Sequence, residues 1–290
     1  MPSSLPLPAV HDPAALREEI ARWRAQGLRI GFVPTMGALH GGHIALVEQA
    51  LELADRVVVS IFVNPAQFAP GEDYDAYPRT LESDAEKLTK AGCHLLYAPN
   101  APAMYPDGFA TTVSLKGPAE DLESAARPHF FAGVATVVTK LLNQVRPDLA
   151  VFGEKDYQQL LVIRRLAADL DLGVEIVAGE TRRDPDGLAL SSRNAYLSDV
   201  DRKRAAELNV ILAECAARLE AGADVGSVEA AALERAEAAF DSVDYLTVRD
   251  AHTLAPLDQD APIEGEARVL AAVRLGPVRL IDNMAAGPAG

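Results

Sequence analysis

A glycine-rich turn between an apolar run and a helix-forming run constrains this chain more than any other stretch. The run Ile30–Val33 is typical of a buried strand, and Ile44–Ala50 is typical of a helix. Between them lies Thr35–His43, which contains three glycines and two histidines. A strand, a tight turn and a helix start point backbone N–H groups and the positive end of the helix at whatever lies in the turn. The pattern therefore predicts an anion site, with His40 and His43 on one face of the helix start.

The residues of this turn leave two interpretations open. Imidazole N–H groups donate to phosphate oxygens, and Gly37 and Gly42 lack the Cβ that would hold a ligand away from the backbone. The first interpretation is therefore a nucleotide phosphate site of the His-x-Gly-His type. The second is an ordinary helix N-terminus that carries two surface histidines. Neither Gly-x-Gly-x-x-Gly nor the P-loop pattern occurs in the chain, which argues against a dinucleotide oxidoreductase and a P-loop kinase.

The composition limits the partners and the compartment. A formal net charge of −15 argues against general binding to nucleic acid or to acidic membranes, so an anionic ligand must meet a local cluster of positive groups. Cys93 and Cys215 stand in no metal-ligand or Cys-x-x-Cys spacing, which favours a reduced, cytoplasmic protein. Met1–Val10 has no basic segment followed by an apolar one, and no apolar run reaches membrane-spanning length. We therefore expect neither export nor membrane insertion.

The order of the predicted elements gives the fold class. Apolar and β-branched runs, which predict strands, alternate with helical periodicity as far as residue 181. The predicted strands are Ile30–Val33, Arg56–Val63, His94–Tyr97, Leu149–Phe152 and Val174–Val177. This alternation predicts an α/β domain with a Rossmann-like, mostly parallel sheet and helices on both faces. Ligands of such sheets bind beyond the carboxyl ends of the strands, where the loops after Val33, Val63 and Phe152 would lie.

From residue 182 onwards the pattern predicts a second, smaller α+β domain. Two helices are expected there, one capped by Ser198 and ending near Gly222, the other capped by Ser227 and ending at Phe240. Three strand-like runs follow, Asp244–Val248, Arg268–Arg274 and Val278–Ile281. We therefore expect two domains, 1–181 and 182–290. The alanine- and glycine-rich tail, Ala285–Gly290, is expected to be disordered.

Two further clusters of residues are suited to a nucleotide. Lys155 follows a predicted strand, and Arg193 follows Ser191 and Ser192 in the second domain. Each has an ordinary alternative, since the first is also typical of a solvated loop lysine and the second of a polar linker. Together with the two histidines they would surround a triphosphate. Attack on its α-phosphorus would concentrate negative charge that fixed Lys, Arg, His and N–H donors stabilise.

Five motifs in a fixed order resemble the pantothenate synthetase (pantoate–β-alanine ligase) family, which belongs to the HxGH nucleotidyltransferase-like superfamily. The motifs are Pro34–His40, Ser60–Phe68, Tyr77–Thr80, Phe152–Leu160 and Asp186–Asn194, and the similarity extends to Leu280–Asn283. The resemblance implies an ATP-dependent condensation of (R)-pantoate with β-alanine through a pantoyl adenylate. AMP and pyrophosphate would leave. It also implies Mg²⁺ as a cofactor, a C-terminal lid domain and a homodimer.

The resemblance also implies roles for individual residues. ATP would be bound by Pro34, Thr35, Met36, Gly37, Ala38, Leu39, His40, Gly41, Gly42, His43, Gly153, Glu154, Lys155, Asp156, Arg182, Leu190, Ser191, Ser192 and Arg193. The catalytic residues would be His40, at the position usually assigned as proton donor, and His43, Lys155, Ser191, Ser192 and Arg193. Gln67 and Gln159 would hold pantoate, with Asn64 as a further substrate contact. Asp84 matches an acidic position near the magnesium site.

Three positions depart from the pattern of the family. Gly41 stands where an acidic residue is usual. Phe130 stands in place of the histidine of Arg-Pro-x-His-Phe, because His129 is displaced by one position, and this argues against a ligand role for His129. Arg182 stands where an apolar residue usually precedes Arg183, and we expect this change to bear on a backbone contact to adenine.

Two other functions are alternatives. One is a nucleotidylyltransferase that transfers AMP to a phosphorylated substrate. Gln67 and Gln159 argue against it, because a phosphorylated acceptor would call for more cationic partners. The other is a nucleotide-binding module without catalysis, against which the presence of His40, Lys155 and Arg193 argues.

Overall fold

The computed structural model describes residues 5–69, 71–72 and 74–288. These residues divide into two compact units. The first unit runs as far as Glu154 and resumes at Val162–Glu180. The second unit combines Lys155–Leu161 with the chain from Thr181 onwards. Among the described residues, none of the helices has both the length and the apolar character needed to cross a bilayer.

The first unit is built on a six-stranded sheet. Its strands are β1 (Ala9–Val10), β2 (Ile30–Thr35), β3 (Arg56–Ile61), β4 (Leu95–Tyr97), β5 (Leu149–Gly153) and β6 (Glu175–Gly179). They lie in the order β1-β4-β3-β2-β5-β6, and every neighbouring pair is parallel. The helices up to residue 180 are α1 (Pro13–Ala25), α2 (Gly41–Leu53), α3 (Leu81–Ala91), α4 (Ala101–Met104), α5 (Glu123–Ala126), α6 (Phe130–Val145) and α7 (Tyr157–Asp169). The predicted α/β fold with a Rossmann-like parallel sheet is confirmed.

The central strands are buried along almost their whole length, as their continuous apolar sequences predict for a sheet covered on both faces. Phe32 of β2, Val58 of β3 and Leu149 of β5 have no exposed surface. The short edge strand β1 has no counterpart among the predicted strands, because two residues carry no readable periodicity.

The strand order locates the crevice in which ligands of such sheets bind. The chain leaves β2 towards β3 and β4 on one side, and later returns to add β5 and β6 on the other side. The direction of winding therefore reverses between β2 and β5, and the carboxyl ends of these strands flank the binding position of an open α/β sheet. The loops after β2, β3 and β5 leave the sheet at this same edge, as predicted.

The second unit contains a three-stranded antiparallel sheet. Its elements are the helices α8 (Asp199–Ala205), α9 (Glu207–Glu220) and α10 (Val225–Ala239), and the strands β7 (Ser242–Asp250), β8 (Ala267–Leu275) and β9 (Val278–Ala286), in that sheet order. Leu208 and Leu212 of α9 share a buried cluster with Val269 and Val273 of β8. The unit is thus a small α+β body with its own core, as predicted.

Three predictions about this unit were wrong in detail. The first predicted helix is interrupted at Ala206, which separates α8 from α9. The second helix is capped by Asp224, whose carboxylate accepts a hydrogen bond of 2.9 Å from the N–H of Ser227, so Ser227 lies within the first turn. Ala285 and Ala286 end β9 in register with β8, because hairpin pairing outweighs their weak strand propensity. Residues 289 and 290 of the predicted disordered tail lie outside the described residues.

The grouping into units differs from the predicted division at residue 181 in one segment. Lys155–Leu161 belongs with the second unit because its polar groups bond there. The side-chain amide of Asn283 donates to the carbonyl of Lys155 at 2.9 Å, and the hydroxyl of Tyr157 donates to the carbonyl of Ala251 at 2.9 Å. The predicted role of residues 182–290 as a lid stays a prediction.

Candidate functional site

The turn after β2 ends in a helix that caps itself with the two histidines. α2 begins at Gly41 with His40 as its N-cap residue, three residues before the predicted run Ile44–Ala50. The N–H of Gly42 donates to Nδ1 of His40 at 3.2 Å, and the N–H of His40 donates to Nδ1 of His43 at 3.3 Å. Two backbone N–H groups that a helix start leaves without intrahelical partners are thus satisfied, in the manner of a capping box.

These two contacts identify the nitrogen that carries the ring proton. In a neutral imidazole, a nitrogen that accepts a hydrogen bond holds no proton, so His40 and His43 each carry their N–H at Nε2. The ring centroids are 4.1 Å apart and the rings are inclined at 44°. The turn therefore holds two imidazole donors together at the positive end of α2, an arrangement suited to an anion.

The backbone of the turn has a conformation that side chains rarely adopt. Gly37 has a φ of +88° and Ala38 a φ of +49°. A Cβ on Gly37 would lie 3.1 Å from Cγ2 of Ile61 and 3.3 Å from Oδ2 of Asp84. Position 37 therefore requires glycine for two reasons, the left-handed backbone conformation and the close approach of Ile61 and Asp84.

Asp84 of α3 holds this turn with a completely buried carboxylate. Its Oδ2 accepts from the N–H of Ala38 at 2.8 Å and from the hydroxyl of Thr80 at 3.0 Å. Its Oδ1 accepts from the N–H of Leu39 at 2.9 Å and from the ammonium of Lys87 at 3.5 Å. A carboxylate offers about four lone-pair positions, and these four donors occupy them. Asp84 therefore does not fit the part of a direct metal ligand.

The loop after β3 places two predicted substrate residues in a buried amide network. Asn64 donates through Nδ2 to Oε1 of Gln67 at 3.2 Å and to the carbonyl of Gly133 at 3.1 Å. Nε2 of Gln67 lies 2.9 Å from the sulfur of Met36 in the turn. The hydroxyl of Tyr105 donates to Oδ1 of Asn64 at 2.7 Å. The first unit therefore brings Asn64 and Gln67 together with the predicted nucleotide turn.

Three residues of this network were missed in the sequence. Arg127 donates to the carbonyl of Gln67 at 3.0 Å and fixes the loop from the end of α5. Gly133 lies so close to the loop that a Cβ there would be 2.2 Å from the carbonyl oxygen of Ala66. Tyr105 is desolvated, and burial raises the pKa of its hydroxyl to about 12, so it acts as a neutral donor. A glycine inside a helical pattern indicates a close approach of another segment, so Gly133 could have been predicted from the sequence. No sequence pattern predicted the role of Tyr105.

The departure at Phe130 has a structural explanation. Its ring lies under the guanidinium of Arg127, with 4.0 Å between Cζ and the ring centroid. An aromatic face in this position stabilises the cation that holds the Gln67 loop. His129 is exposed.

The predicted residues that follow β5 begin in the first unit and continue into the second. Gly153 ends β5, and a 3₁₀ turn, Glu154–Asp156, leads into α7, which carries Gln159 in its first turn. Nζ of Lys155 lies 3.8 Å from Oδ1 of Asp156. The Leu280–Asn283 motif has a positioning role here, because Asn283 fixes the backbone of Lys155 through its carbonyl.

The predicted segment Leu190–Arg193 begins as one side of a short hairpin. The N–H of Leu190 donates to the carbonyl of Arg182 at 2.9 Å. This hydrogen bond joins backbone atoms only. The arginine side chain at position 182, which is exposed, therefore does not alter the hydrogen bond. The guanidinium of Arg183 forms two hydrogen bonds, of 2.6 and 3.0 Å, with the carboxylate of Asp282 and anchors the hairpin within the second unit.

A 3₁₀ helix, Ser192–Tyr196, carries the remaining predicted residues. Ser191 is its N-cap residue, and its hydroxyl accepts from the N–H of Arg193 at 3.3 Å. Ser191, Ser192 and Arg193 are each half-buried. A capped helical turn gives these side chains defined positions, which argues against the alternative that this segment is only a polar linker.

The described residues contain no group of three His, Cys, Asp or Glu side chains that is arranged to bind a metal ion. The two cysteines, Cys93 and Cys215, are buried and unpaired, and burial raises the pKa of each thiol to about 11. Thiols of this kind are inert as nucleophiles and as ligands. The chemistry of the site therefore rests on nitrogen and oxygen donors.

Comparisons with known proteins agree with this geometry. A family model described as Pantoate-beta-alanine ligase matches residues 8–285. The pantothenate synthetase of Maricaulis maris is 63% identical over 282 residues, which are 97% of this chain and 98% of that protein. The pantothenate synthetase of Caulobacter vibrioides is 53% identical over 279 residues, 96% of this chain and 98% of that protein.

Solved structures show the same similarity. The crystal structure of pantothenate synthetase from Thermus thermophilus has a TM-score of 0.90 at 47% identity and covers 96% of this chain and 99% of its own. A pantoate-beta-alanine ligase from Francisella tularensis, complexed with beta-gamma ATP and beta-alanine, has a TM-score of 0.80 at 34% identity and covers 96% of this chain and 97% of its own.

Proposed function

Because the chain belongs to the pantoate–β-alanine ligase family, we propose a mechanism in which its residues join pantoate to β-alanine at the expense of ATP. The protein is a carbon–nitrogen ligase that makes pantothenate. The observation that carries the mechanism is the strained turn after β2, which holds two imidazole donors at the start of α2 beside a buried amide network.

The first step is adenylation of pantoate. A carboxylate oxygen of pantoate attacks the α-phosphorus of ATP, and the bond from that phosphorus to the bridging oxygen breaks, so pyrophosphate leaves. Negative charge grows on the phosphate oxygens during this step. The Nε2–H groups of His40 and His43 and the positive end of α2 stabilise that charge without reorganising, because the fold already holds them in place.

The amide network suits the carboxylate that acts as the nucleophile. A tight ion pair would lower its reactivity, whereas neutral hydrogen bonds orient it and leave its electrons available. Asn64 and Met36 contact the side-chain amide of Gln67 and hold its orientation, and Arg127 donates to the backbone carbonyl of Gln67. We propose that Gln67 and Asn64 bind pantoate, together with Gln159 of α7.

The second step joins the two substrates. The neutral amine of β-alanine attacks the acyl carbon of the adenylate, and AMP leaves with the oxygen that came from the pantoate carboxylate. No side chain forms a covalent bond in either step. The protein therefore acts by positioning and by electrostatic stabilisation.

The predicted ATP contacts outside the turn are part of the same proposal. We propose that Lys155 stabilises the phosphate charge of the transition state and that Ser191, Ser192 and Arg193 bind the triphosphate. The role of Lys155 is supported by the hydrogen bond from Asn283 to its backbone carbonyl, which fixes its backbone. The roles of Ser191, Ser192 and Arg193 are supported by the capped 3₁₀ turn, which gives them defined positions.

We propose that Mg²⁺ enters with the nucleotide, as MgATP. Magnesium usually keeps several waters and binds substrate phosphates rather than an all-protein cage. The occupied carboxylate of Asp84 supports this form of delivery.

The cytoplasmic location and the homodimer also belong to the proposal. Two buried cysteines with protonated thiols suit a reducing compartment. The homodimer follows from the family resemblance alone and is tested by the molar mass in solution.

Isotope exchange tests the two-step mechanism. With pantoate and Mg²⁺ but without β-alanine, labelled pyrophosphate should exchange into ATP. The control reaction lacks pantoate and should show no exchange. A requirement for β-alanine, or release of ADP in place of AMP, would contradict the adenylate.

A further inference from the structure

The buried carboxylate of Asp84 has a cation beside it that belongs to the chain itself. The ammonium of Lys87 donates to Oδ1 of Asp84 at 3.5 Å and to the carbonyl of Leu39 at 2.8 Å. It therefore joins the carboxylate to the turn through two oxygens, which is what a divalent cation at the same place would do. Lys87 lies one helical turn after Asp84 on α3, so the helix fixes this spacing.

We propose that Asp84 is a positioning residue of the nucleotide turn with Lys87 as its built-in counter-cation, and that neither the carboxylate nor its surroundings bind magnesium. This inference rests on the proposed function in one respect, that the ligand of the turn is ATP.

Charge is the first reason for this assignment. A carboxylate with no exposed surface needs both hydrogen bonds and a compensating charge, since leaving an ion unpaired in the interior is strongly unfavourable. Asp84 obtains both from its four donors. A divalent ion that approached Oδ1 would meet the Lys87 ammonium already there, and like charges at this distance repel strongly.

Backbone strain is the second reason. Gly37 and Ala38 both have positive φ, and this conformation turns the N–H groups of Ala38 and Leu39 towards the one carboxylate. Asp84 is therefore the acceptor that makes the strained turn favourable. His40 follows Leu39 directly, so the place of the imidazole donors depends on the same carboxylate.

Manganese binding to the nucleotide-free protein tests the metal half of the proposal. Mn²⁺ replaces Mg²⁺ at oxygen sites, and the loss of its free EPR signal measures binding. The acidic surface binds some Mn²⁺ in every variant, so the difference between variants is what matters. Wild type and Asp84→Asn should bind the same amount. A site present in wild type and lost in Asp84→Asn would overturn the proposal.

Removing the ammonium should create the site that wild type lacks. In Lys87→Ala, Oδ1 of Asp84 loses its cation, so one additional Mn²⁺ should bind, and the double variant Lys87→Ala/Asp84→Asn should lose it again. Lys87 is partly exposed, so the single variant should still fold. A Lys87→Ala protein that binds no more Mn²⁺ than wild type would contradict the counter-cation.

Nucleotide kinetics test the positioning half. Asp84→Asn offers a donor where an acceptor is needed, so kcat/KM for ATP should fall by about tenfold or more, because the turn and the imidazole donors that follow it lose their position. The dependence on free Mg²⁺ at constant MgATP should not change. Glu86→Gln is the matched control, since it removes the same charge from an exposed position of α3 and should behave as wild type.

A magnesium ligand would give the opposite pattern, a higher requirement for free Mg²⁺ with an unchanged kcat/KM for MgATP, and that result would overturn the proposal. The Mn²⁺ measurements do not depend on ligase activity. If the proposed function is wrong, no variant will form pantothenate. The Mn²⁺ measurements would still show whether Asp84 binds a metal ion.

Discussion

At the scale of single residues, His40 performs two tasks that substitutions can separate. Its Nδ1 caps α2, and its Nε2–H is the proposed donor to the nucleotide. His40→Asn keeps a good capping side chain but removes the donor, whereas His40→Ala removes both.

Both variants should therefore lose about 10²- to 10³-fold in kcat, the scale of one transition-state donor. Only His40→Ala should also lose stability, by about 1 kcal/mol. Steady-state kinetics and thermal unfolding of the two proteins check this separation. An active His40→Asn enzyme would show that the imidazole serves the helix alone.

At the scale of elements, the contact between α6 and the Gln67 loop depends on Gly133. A Cβ at this position would meet the carbonyl oxygen of Ala66 at 2.2 Å, so Gly133→Ala must push the helix and the loop apart. We expect the KM for pantoate to rise by about tenfold or more, with a loss of about 1–3 kcal/mol in unfolding free energy.

Gly265→Ala is the control for this change, because a Cβ there would meet no atom within 4 Å. Without the contact to Ala66, alanine at position 133 of α6 would be more favourable than glycine by about 1 kcal/mol, because alanine has the higher helix propensity. A Gly133→Ala protein that is more stable than wild type and binds pantoate normally would show that α6 and the loop are not in close contact.

The elements that the sequence predicted best are those whose chemistry is local. The predicted helical run Ile44–Ala50 lies within α2, and the turn before it was recognised as a helix start because the glycines and the helix-forming run are adjacent in the sequence. The second unit shows the limit of this reasoning. Asp224 and Ser227 are both good capping residues three positions apart, and only the backbone path decides between them.

The candidate site was predictable only in part for the same reason. The turn, Asn64 and Gln67 lie in contiguous motifs that a pattern reveals. Tyr105 and Arg127 reach Asn64 and Gln67 from 41 and 60 residues further along the chain. Such contacts are products of the folded topology, and no local periodicity encodes them.

At the scale of the whole molecule, acid should unfold the protein through its aspartates. Burial alone would raise the pKa of Asp148, but hydrogen bonds from Arg24 and from the N–H of Ile30, with the charges of Arg24 and Arg29, lower it. The pKa is also lowered at Asp186, Asp224, Asp241, Asp244 and Asp250.

A carboxyl group whose pKa is lower in the folded state stabilises the fold above its unfolded pKa, and this stability is lost as the pH falls. The unfolding free energy should therefore decline as the pH falls below about 4. Asp148→Asn should be less stable than wild type at pH 7 and should show a shallower decline. Denaturant unfolding at several pH values measures both. An equally steep decline in the variant would show that Asp148 contributes nothing to it.

In the proposed reaction, the pantoate carboxylate attacks the α-phosphorus of ATP at the turn after β2. Pantoate labelled with ¹⁸O in both carboxylate oxygens tests this attack, because an adenylate transfers one labelled oxygen to the nucleotide. Mass spectrometry of the products after a complete reaction should find one ¹⁸O in AMP and the other in the amide carbonyl of pantothenate. Unlabelled AMP, or label in inorganic phosphate beside ADP, would contradict a pantoyl adenylate.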